Sequence, residues 1–450
     1  VSEREQANHD AVALLRERLS SGRLLPARRA LHALNPAEIA GLLESLPPRQ
    51  RAIVWNMVSP EDDGEVLLHL GDDVRAELIR QMDVNELVAA AGELDIDDLA
   101  DFVEHLPETV TQQVLKALDA DDRARLESVL AYEPDTAGGL MNTDTVTVRP
   151  DVTLDVVQRY LRLRGELPNH TDALYVVDRY SHYLGALPLA RILTRGAEEL
   201  VSNVMERERE TMPASLPDER VAQRFQDADL VSAPVVDERN RLIGRITVDD
   251  VVDVIRRDAE HKLLSMAGLH EDEDIFAPVR GAARRRAIWL GINLLTAFLA
   301  SSVVDLFQGT ISRVVALAVL MPVVASMGGI GGSQTLTLMI RGLALGQIGY
   351  HNWRPLLRKE LAVALVNGVL WAAVVGATAW LWFRDPMLAL VVGLAIVINQ
   401  TVAALAGIFV PLTLKRFGVD PALAGSVILT TFTDVCGFFS LLALGTLILL

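Results

Sequence analysis

Hydrophobic and polar positions change rhythm twice along this chain. Between residues 10 and 132 the apolar positions come in short helical bursts with acidic or Ser/Thr starts: "NPAEIAGLLESL", "SPEDDGEVLLHL", "DVNELVAAAGEL", "DIDDLADFVEHL" and "DADDRARLESVL". Such starts cap helices, and their recurrence predicts an all-α helical-repeat superhelix over 1–136. Over 137–256 the pattern shortens and repeats, "LMNTDTVTVRPDVTLDVVQRYL...ALYVVDRYSHYLGALPLARIL" being answered by "VMERERETMPASLPDERVAQRF...SAPVVDERNRLIGRITVDDVVDVI". Each copy runs through a strand and helix to a "VVD" strand, a turn, another strand and a helix, so an α/β tandem pair is expected. A charged, helix-prone connection fills 257–283. From 284 to 450 apolar runs recur at 286–307, 314–340, 361–383, 387–413 and 421–450, each able to cross a hydrocarbon layer about 30 Å thick. The expected fold is therefore multidomain, ending in an α-helical membrane domain of five spans.

Charge sharpens the division. Residues 281–450 hold eleven Lys/Arg and five Asp/Glu, a net of +6, which leaves −23 on the first 280 residues. That acidity argues against nucleic acid and for cationic partners. Arg284, Arg285, Arg286, Arg341, Arg354, Arg358, Lys359, Lys415 and Arg416 fall on one side of the spans and Arg313 and Arg384 on the other. The positive-inside rule then puts the N-terminal half in the cytoplasm and, after five crossings, the C-terminus outside. The single cysteine, Cys436, excludes a disulfide within the chain, and the polar start "VSEREQANHD" has no apolar leader region. The expected setting is the cell membrane, in contact with lipid.

Two features of the spans carry chemistry. The second span contains Pro322 and then Gly328, Gly329, Gly331 and Gly332. Proline removes a helix donor and glycine weakens a helix, so a break is expected there, lining a pathway. The alternative is close packing of helices through small residues. In the last span Asp434 is the only charged side chain between Pro421 and Leu450. Ser426, Thr430 and Asp434 fall at i, i+4 and i+8 on one helix face, with Thr431 beside them. A mid-membrane acid costs about 2.5–3.5 kcal/mol on insertion scales. Three readings stay open from the residues alone: Asp434 is protonated, lies near the interface, or faces a hydrated cation.

The acidic helix starts read first as caps, although Asp97 and Asp101, one turn apart, could share a metal with Glu65. The tandem α/β copies resemble the cystathionine-β-synthase-type (CBS) domain pair. In that resemblance the "TVDD" Thr247 and Asp250 would hold a nucleotide ribose, such as that of ATP, while the first copy reads "PLAR" at this place. The order of regions, with "YEPDTAGGLM", "MPVV" before the glycine cluster and "SQTLTLMIRGLA", "FGVDPALAGS" and "TDVCG", resembles the MgtE family of bacterial magnesium channels over essentially the whole chain. Departures are "GGIGGSQ" in place of an asparagine-containing form and Ser426 in place of another asparagine.

The resemblance implies a homodimeric, magnesium-selective channel with its pore on the two-fold axis, no enzymatic activity, and closure by intracellular magnesium. The implied pore groups are Asp434, Thr430, Ser426, Gly328, Gly329 and Gly331. The implied sensing carboxylates are Glu65, Asp97, Asp101, Glu219, Asp229, Asp250, Asp253 and Asp420, with Asp258 and Glu260 near a plug-like connecting helix. Ligand chemistry agrees with magnesium, because zinc or copper would call for His and Cys donors and the spans hold no histidine and one cysteine. A proton-coupled secondary transporter of Mg, Mn or Co is the alternative, with Asp434 as a titrating carrier. An enzyme is disfavoured, the spans offering no His, Glu or Lys well inside their apolar core.

Overall fold

The computed structural model describes residues 24–92, 94–269, 274–344, 347–348 and 352–450. The polar start of the chain lies outside them. The chain divides into two compact units, one holding the described residues up to Ala259 together with 274–277, the other holding Glu260 to 269 and Pro278 onward.

In the first unit the apolar bursts fold as short helices: α1 (Leu24–Leu31), α2 (Pro36–Glu44), α3 (Pro48–Trp55), α4 (Asp63–Leu68), α5 (Asp72–Ile79), α6 (Val84–Ala91), α7 (Ile96–Glu104), α8 (Glu108–Ala117) and α9 (Ala120–Val129). Local chemistry fixes their starts. Asn35 and Glu38 form a reciprocal capping box on α2, Asp83 and Glu86 form another on α6, and Asp119 accepts from the Asp121 and Asp122 amides on α9. Their buried faces, among them Leu42, Leu43, Leu67, Leu78, Leu99 and Phe102, make one core. Beneath it Arg51 is fully buried and donates to the Leu43 and Leu46 carbonyls. Its guanidinium pairs with Glu77 at 2.5 Å and with Asp274 at 2.9 Å. An arginine can be sequestered this way because two carboxylates and two carbonyls replace its water.

The tandem copies follow. The first contains β1 (Thr147–Val148), α10 (Leu154–Arg164), β2 (Ala173–Val177), β3 (Tyr183–Pro188), α11 (Leu189–Thr194) and α12 (Val201–Val204). The second contains β4 (Met212–Pro213), α13 (Asp218–Ala228), β5 (Ser232–Val236), β6 (Leu242–Thr247) and α14 (Val248–Ser265). Both sheets have a parallel first pair and an antiparallel second pair, with a register shift at Val176/Val177 in one and at Val235/Val236 in the other. Val221, Phe225, Val235, Ile246 and Val251 of the second copy belong to the same core as the helical stack. The first copy keeps a core of its own around Leu154, Val176, Leu187 and Val201.

The second unit carries α15 (Val279–Asp305), a short α16 (Gln308–Arg313), α17 (Ala316–Ala344), α18 (Trp353–Phe383), α19 (Pro386–Arg416) and α20 (Pro421–Leu449). The five long helices have 27 to 31 residues and are apolar enough to span a membrane. The fold expected from the sequence is thus present, with one correction. The break expected at Pro322 and the glycines is absent: α17 is continuous from Ala316 to Ala344. The glycines are sites of close approach instead. A Cβ on Gly332 would stand 2.9 Å from Leu429, and Cβ atoms on Gly328 and Gly331 would run into the amides of Asn399 and Gln400. Tertiary contact therefore overrides the local weakness of glycine in a helix.

Candidate functional site

The hydroxyl stripe of α20 is satisfied from within. Thr430 Oγ1 donates to the Ser426 carbonyl at 3.1 Å and the Val427 carbonyl at 3.0 Å, Thr431 Oγ1 to the Val427 carbonyl at 2.7 Å, and Thr433 Oγ1 to the Thr430 carbonyl at 3.0 Å. Thr433 is fully buried, but on Thr430 and Thr431 donors consumed in this way leave oxygen lone pairs to face outward, a surface suited to cations. Asp434 sits half-buried on this face, and its carboxyl has no hydrogen bond or ion pair among the described residues. Cys436 turns instead toward an apolar groove with Phe409, Ile428 and Phe432. On α17, Gly328 is buried against Asn399 and Gly331 faces Gln400, whereas Gly329 has open space where a side chain would stand. A second carboxylate of this unit escaped the sequence reading. Glu360 on α18 is 5% exposed, accepts from Thr335 Oγ1 at 3.1 Å and pairs with Lys359 at 2.9 Å. It precedes its apolar run, so the run alone gave no reason to place it inside a helix bundle.

In the first unit the acids are unevenly gathered. Asp95, Asp97 and Asp98 at the start of α7 bring carboxylate oxygens within 4.8 Å of one another. Asn142 donates to Asp97 Oδ1 at 3.0 Å. Asp249 and Asp250, where β6 turns into α14, join the same field. Burial first, then the charges of Asp97, Asp95, Asp101 and Asp249, pushes Asp98 up to about 8. Burial first, then Asp97 and Asp249, pushes Asp250 up to about 8, and burial raises Asp97 to about 6. Carboxyls so crowded hold their protons more tightly than isolated ones, and a metal binding among them would displace those protons. Asp95, Asp98, Asp249 and Asn142 were absent from the sequence reading, because an acid at a helix start has the same signature whether it caps or coordinates.

The other expected sensing residues do not join this group. Glu65 is exposed on α4, where the acid raised by its surroundings is Asp63, to about 6, by burial and then by Glu86 and Asp62. Asp101 lies one turn beyond Asp97 in the field of Arg257, Arg75 and His105. Asp253 is exposed and pairs with Arg256 at 3.3 Å. Glu219 stands exposed in the first turn of α13, and Asp229 closes that helix in the left-handed region, at φ 49°. Asp258 and Glu260 lie along α14. In the second unit Asp420 caps α20, accepting from the Ala422 amide at 2.9 Å, with His261 Nε2 3.2 Å from its other oxygen.

Thr247 is buried, and its amide and hydroxyl both donate to Asp250 Oδ2 at 3.0 Å, the hydroxyl also to Asp249. The two residues named for a ribose therefore cap α14 together. In the first copy Arg191 occupies the place of Asp250 and pairs with Glu206 at 2.7 Å. It lines a cleft of about 800 Å³ with Asp172, Arg209, Asp229 and Val231.

Three segments match family profiles: residues 34–135 the MgtE intracellular N domain, 201–257 the CBS domain, and 321–444 a divalent cation transporter family named MgtE. The magnesium transporter MgtE of Thermus thermophilus is 31% identical over 440 residues, 97% of this chain and 98% of that one. Its namesake from Bacillus subtilis is 25% identical over 95% of both chains. Among solved structures, the cytosolic domain of the Mg2+ channel MgtE in complex with ATP is 31% identical, covering 54% of this chain and 99% of that one, with a TM-score of 0.49. With these segments in one order and a full-length relative at this identity, the chain belongs to the MgtE family, membrane transporters of magnesium rather than enzymes.

Proposed function

We propose that this magnesium transporter is a channel, closed by intracellular magnesium bound to its acidic N-terminal region. The observation that carries the gating half is the crowd of carboxyls at Asp95, Asp97, Asp98, Asp249 and Asp250, three of them raised toward or above neutrality by burial and mutual repulsion. A hard dication satisfies oxygen-only donors of this kind and holds together elements that otherwise repel. Two of these elements are far apart in sequence: the start of α7 and the turn into α14. Magnesium here favours the arrangement that joins them, and α14 carries the bias along its length toward Asp258 and Glu260. Glu65, Asp101, Glu219, Asp229 and Asp253, all exposed, and the half-buried Asp420 add weaker sites, some of them facing a second subunit.

For permeation, a homodimer places Asp434 of each subunit beside one axial path, with Thr430, Ser426 and the glycine turn of α17 as neighbours. Magnesium sheds water reluctantly, so carboxylates and outward oxygens grip its hydration shell rather than the bare ion. The C-terminus lies outside the cell. Adenine nucleotide, if bound through Thr247 and Asp250, competes with their mutual cap and so couples to the same carboxyl group.

Single-channel recording of the purified protein in planar bilayers tests this. Unitary currents that run without a pH gradient and shut as magnesium rises on the N-domain side are expected. Flux that follows an imposed proton gradient, without unitary currents, would instead establish the proton-coupled carrier.

A further inference from the structure

Two carboxamides lie where membrane helices ordinarily place apolar residues. Asn399 is fully buried and Gln400 is 6% exposed, on adjacent positions of α19. Asn399 Nδ2 donates to the Val324 carbonyl at 2.8 Å, and Gln400 Nε2 donates to the Met327 carbonyl at 3.1 Å. These are consecutive ridges of α17, directly before the Gly328–Gly332 turn. The glycines are cut to fit them: Gly328 meets the Asn399 amide, Gly331 the Gln400 amide, and a Cβ on Gly437 of α20 would stand 2.8 Å from Asn399 Nδ2. Gly437 follows Asp434 by three residues, nearly one turn.

We infer that Asn399 and Gln400 are positioning residues for ion discrimination, setting the spacing between the glycine turn of α17 and the Asp434 turn of α20. The inference rests on the proposed permeation path past Asp434. Packing alone does not account for the pair. Asn399 Oδ1 has no hydrogen-bond partner among the described residues although it is buried, so an apolar side chain of similar volume would fill the site without a stranded acceptor. What the amide supplies and leucine cannot is directional attachment to a chosen α17 carbonyl, with a wedge of fixed width between α17 and α20. A hydrated dication is discriminated by small differences in the separation of its oxygen cage, so this wedge acts on selectivity through groups it does not itself present to the ion.

The test uses the full-length protein in liposomes, with Mg2+ and Mn2+ uptake measured side by side for Asn399→Leu, Asn399→Ala, Gln400→Leu, Gly437→Ala and the double variant Gly437→Ala/Asn399→Ala. Loss of one interhelical hydrogen bond in Asn399→Leu or Gln400→Leu supports a shift of about threefold or more in the Mn2+-to-Mg2+ uptake ratio, and the methyl of Gly437→Ala, pressed against Asn399 Nδ2, should shift the ratio in the same measurable way. A merely structural defect lowers both fluxes together and leaves the ratio alone. In the double variant, removing the amide that the new methyl meets should bring the ratio back toward that of Asn399→Ala alone. If Asn399→Leu fails to fold, Gln400→Leu and the Gly437 pair carry the test. Wild-type ratios in the folded variants, with Asp434→Asn abolishing flux, overturn this inference and leave the permeation path standing. Wild-type flux in Asp434→Asn overturns the path, and the inference with it.

Discussion

The carboxyls of α7 and the α14 turn are crowded, whereas Asp434 stands by itself. Burial first, and then the charges of neighbouring acids, raises the proton affinity of Asp97, Asp98 and Asp250, and a cation bound there would be gripped by several oxygens at once. Asp434 has neither a carboxyl companion nor a basic partner among the described residues of its subunit, and its neighbours are hydroxyls turned into their own helix. The contrast matches two tasks. A sensor gains from ligands that bind cooperatively and release slowly, whereas a path gains from a weak, shallow hold that lets the ion leave. On the proposed function, crowding and isolation of one functional group separate regulation from passage within a single chain.

The contrast breaks most visibly at Asp434. Asp434→Ala is expected to take magnesium flux to the background of empty liposomes while the protein stays folded and of unchanged oligomeric state; wild-type flux in a well-folded variant sinks the assignment. Next comes the crowd. Replacing Asp97, Asp98 and Asp250 together with Asn should raise the magnesium concentration needed for closure by about tenfold or more, since affinity follows ligand charge count. Small-angle scattering on residues 1–280 should show the wild type contracting between chelator and about 10 mM magnesium, the weak end of hard-cation sites, and the triple variant responding little. An unchanged radius of gyration in the wild type excludes sensing by this region.

A smaller effect is the pH dependence of the crowd. Asp98 and Asp250 at about 8, and Asp97 at about 6, lie above the ordinary carboxyl value of 3.8. The folded state then binds more protons than the unfolded one between those values, and without metal its stability falls as pH rises through that window. Thermal melts in chelator should therefore show a lower midpoint at pH 8 than at pH 6, the gap narrowing when magnesium replaces the protons. Calorimetry in buffers of different ionisation enthalpy should register proton release on binding; its absence at pH 7 would count against the shared site. Smallest is Thr247→Ala. Loss of this hydroxyl, which donates to Asp249 and Asp250, costs about 1 kcal/mol of stability, and adenine-nucleotide binding, expected at no more than one site per subunit, should fall with it. Unchanged binding moves the nucleotide to the cleft beside Arg191.

Elements were more legible in the sequence than neighbours were. The five apolar helices and the duplicated α/β unit follow from period and length, which each segment carries by itself. The course of α17 does not, because whether clustered glycines break a helix depends on what fills the space beside them, here Asn399 and Gln400 some seventy residues later. Asp434 could be singled out because an acid is rare in its apolar surroundings. Asp98 and Asp249 could not, since acids abound at helix starts and only the approach of α7 to the α14 turn distinguishes these two. Glu360 was missed for a related reason: burial came from Thr335 on another helix, not from its own flanks.

The buried Arg51 has a consequence in time. Its partner Asp274 lies 223 residues further along the chain. At synthesis rates of about 5–20 residues per second, roughly 10–45 s separate the emergence of the two. During that interval the helical stack holds an arginine with only Glu77 to answer its charge, and its core is incomplete. The carboxylate that finishes it arrives just ahead of the first apolar helix, so a chain stalled before this point holds the buried Arg51 with one of its two carboxylates missing.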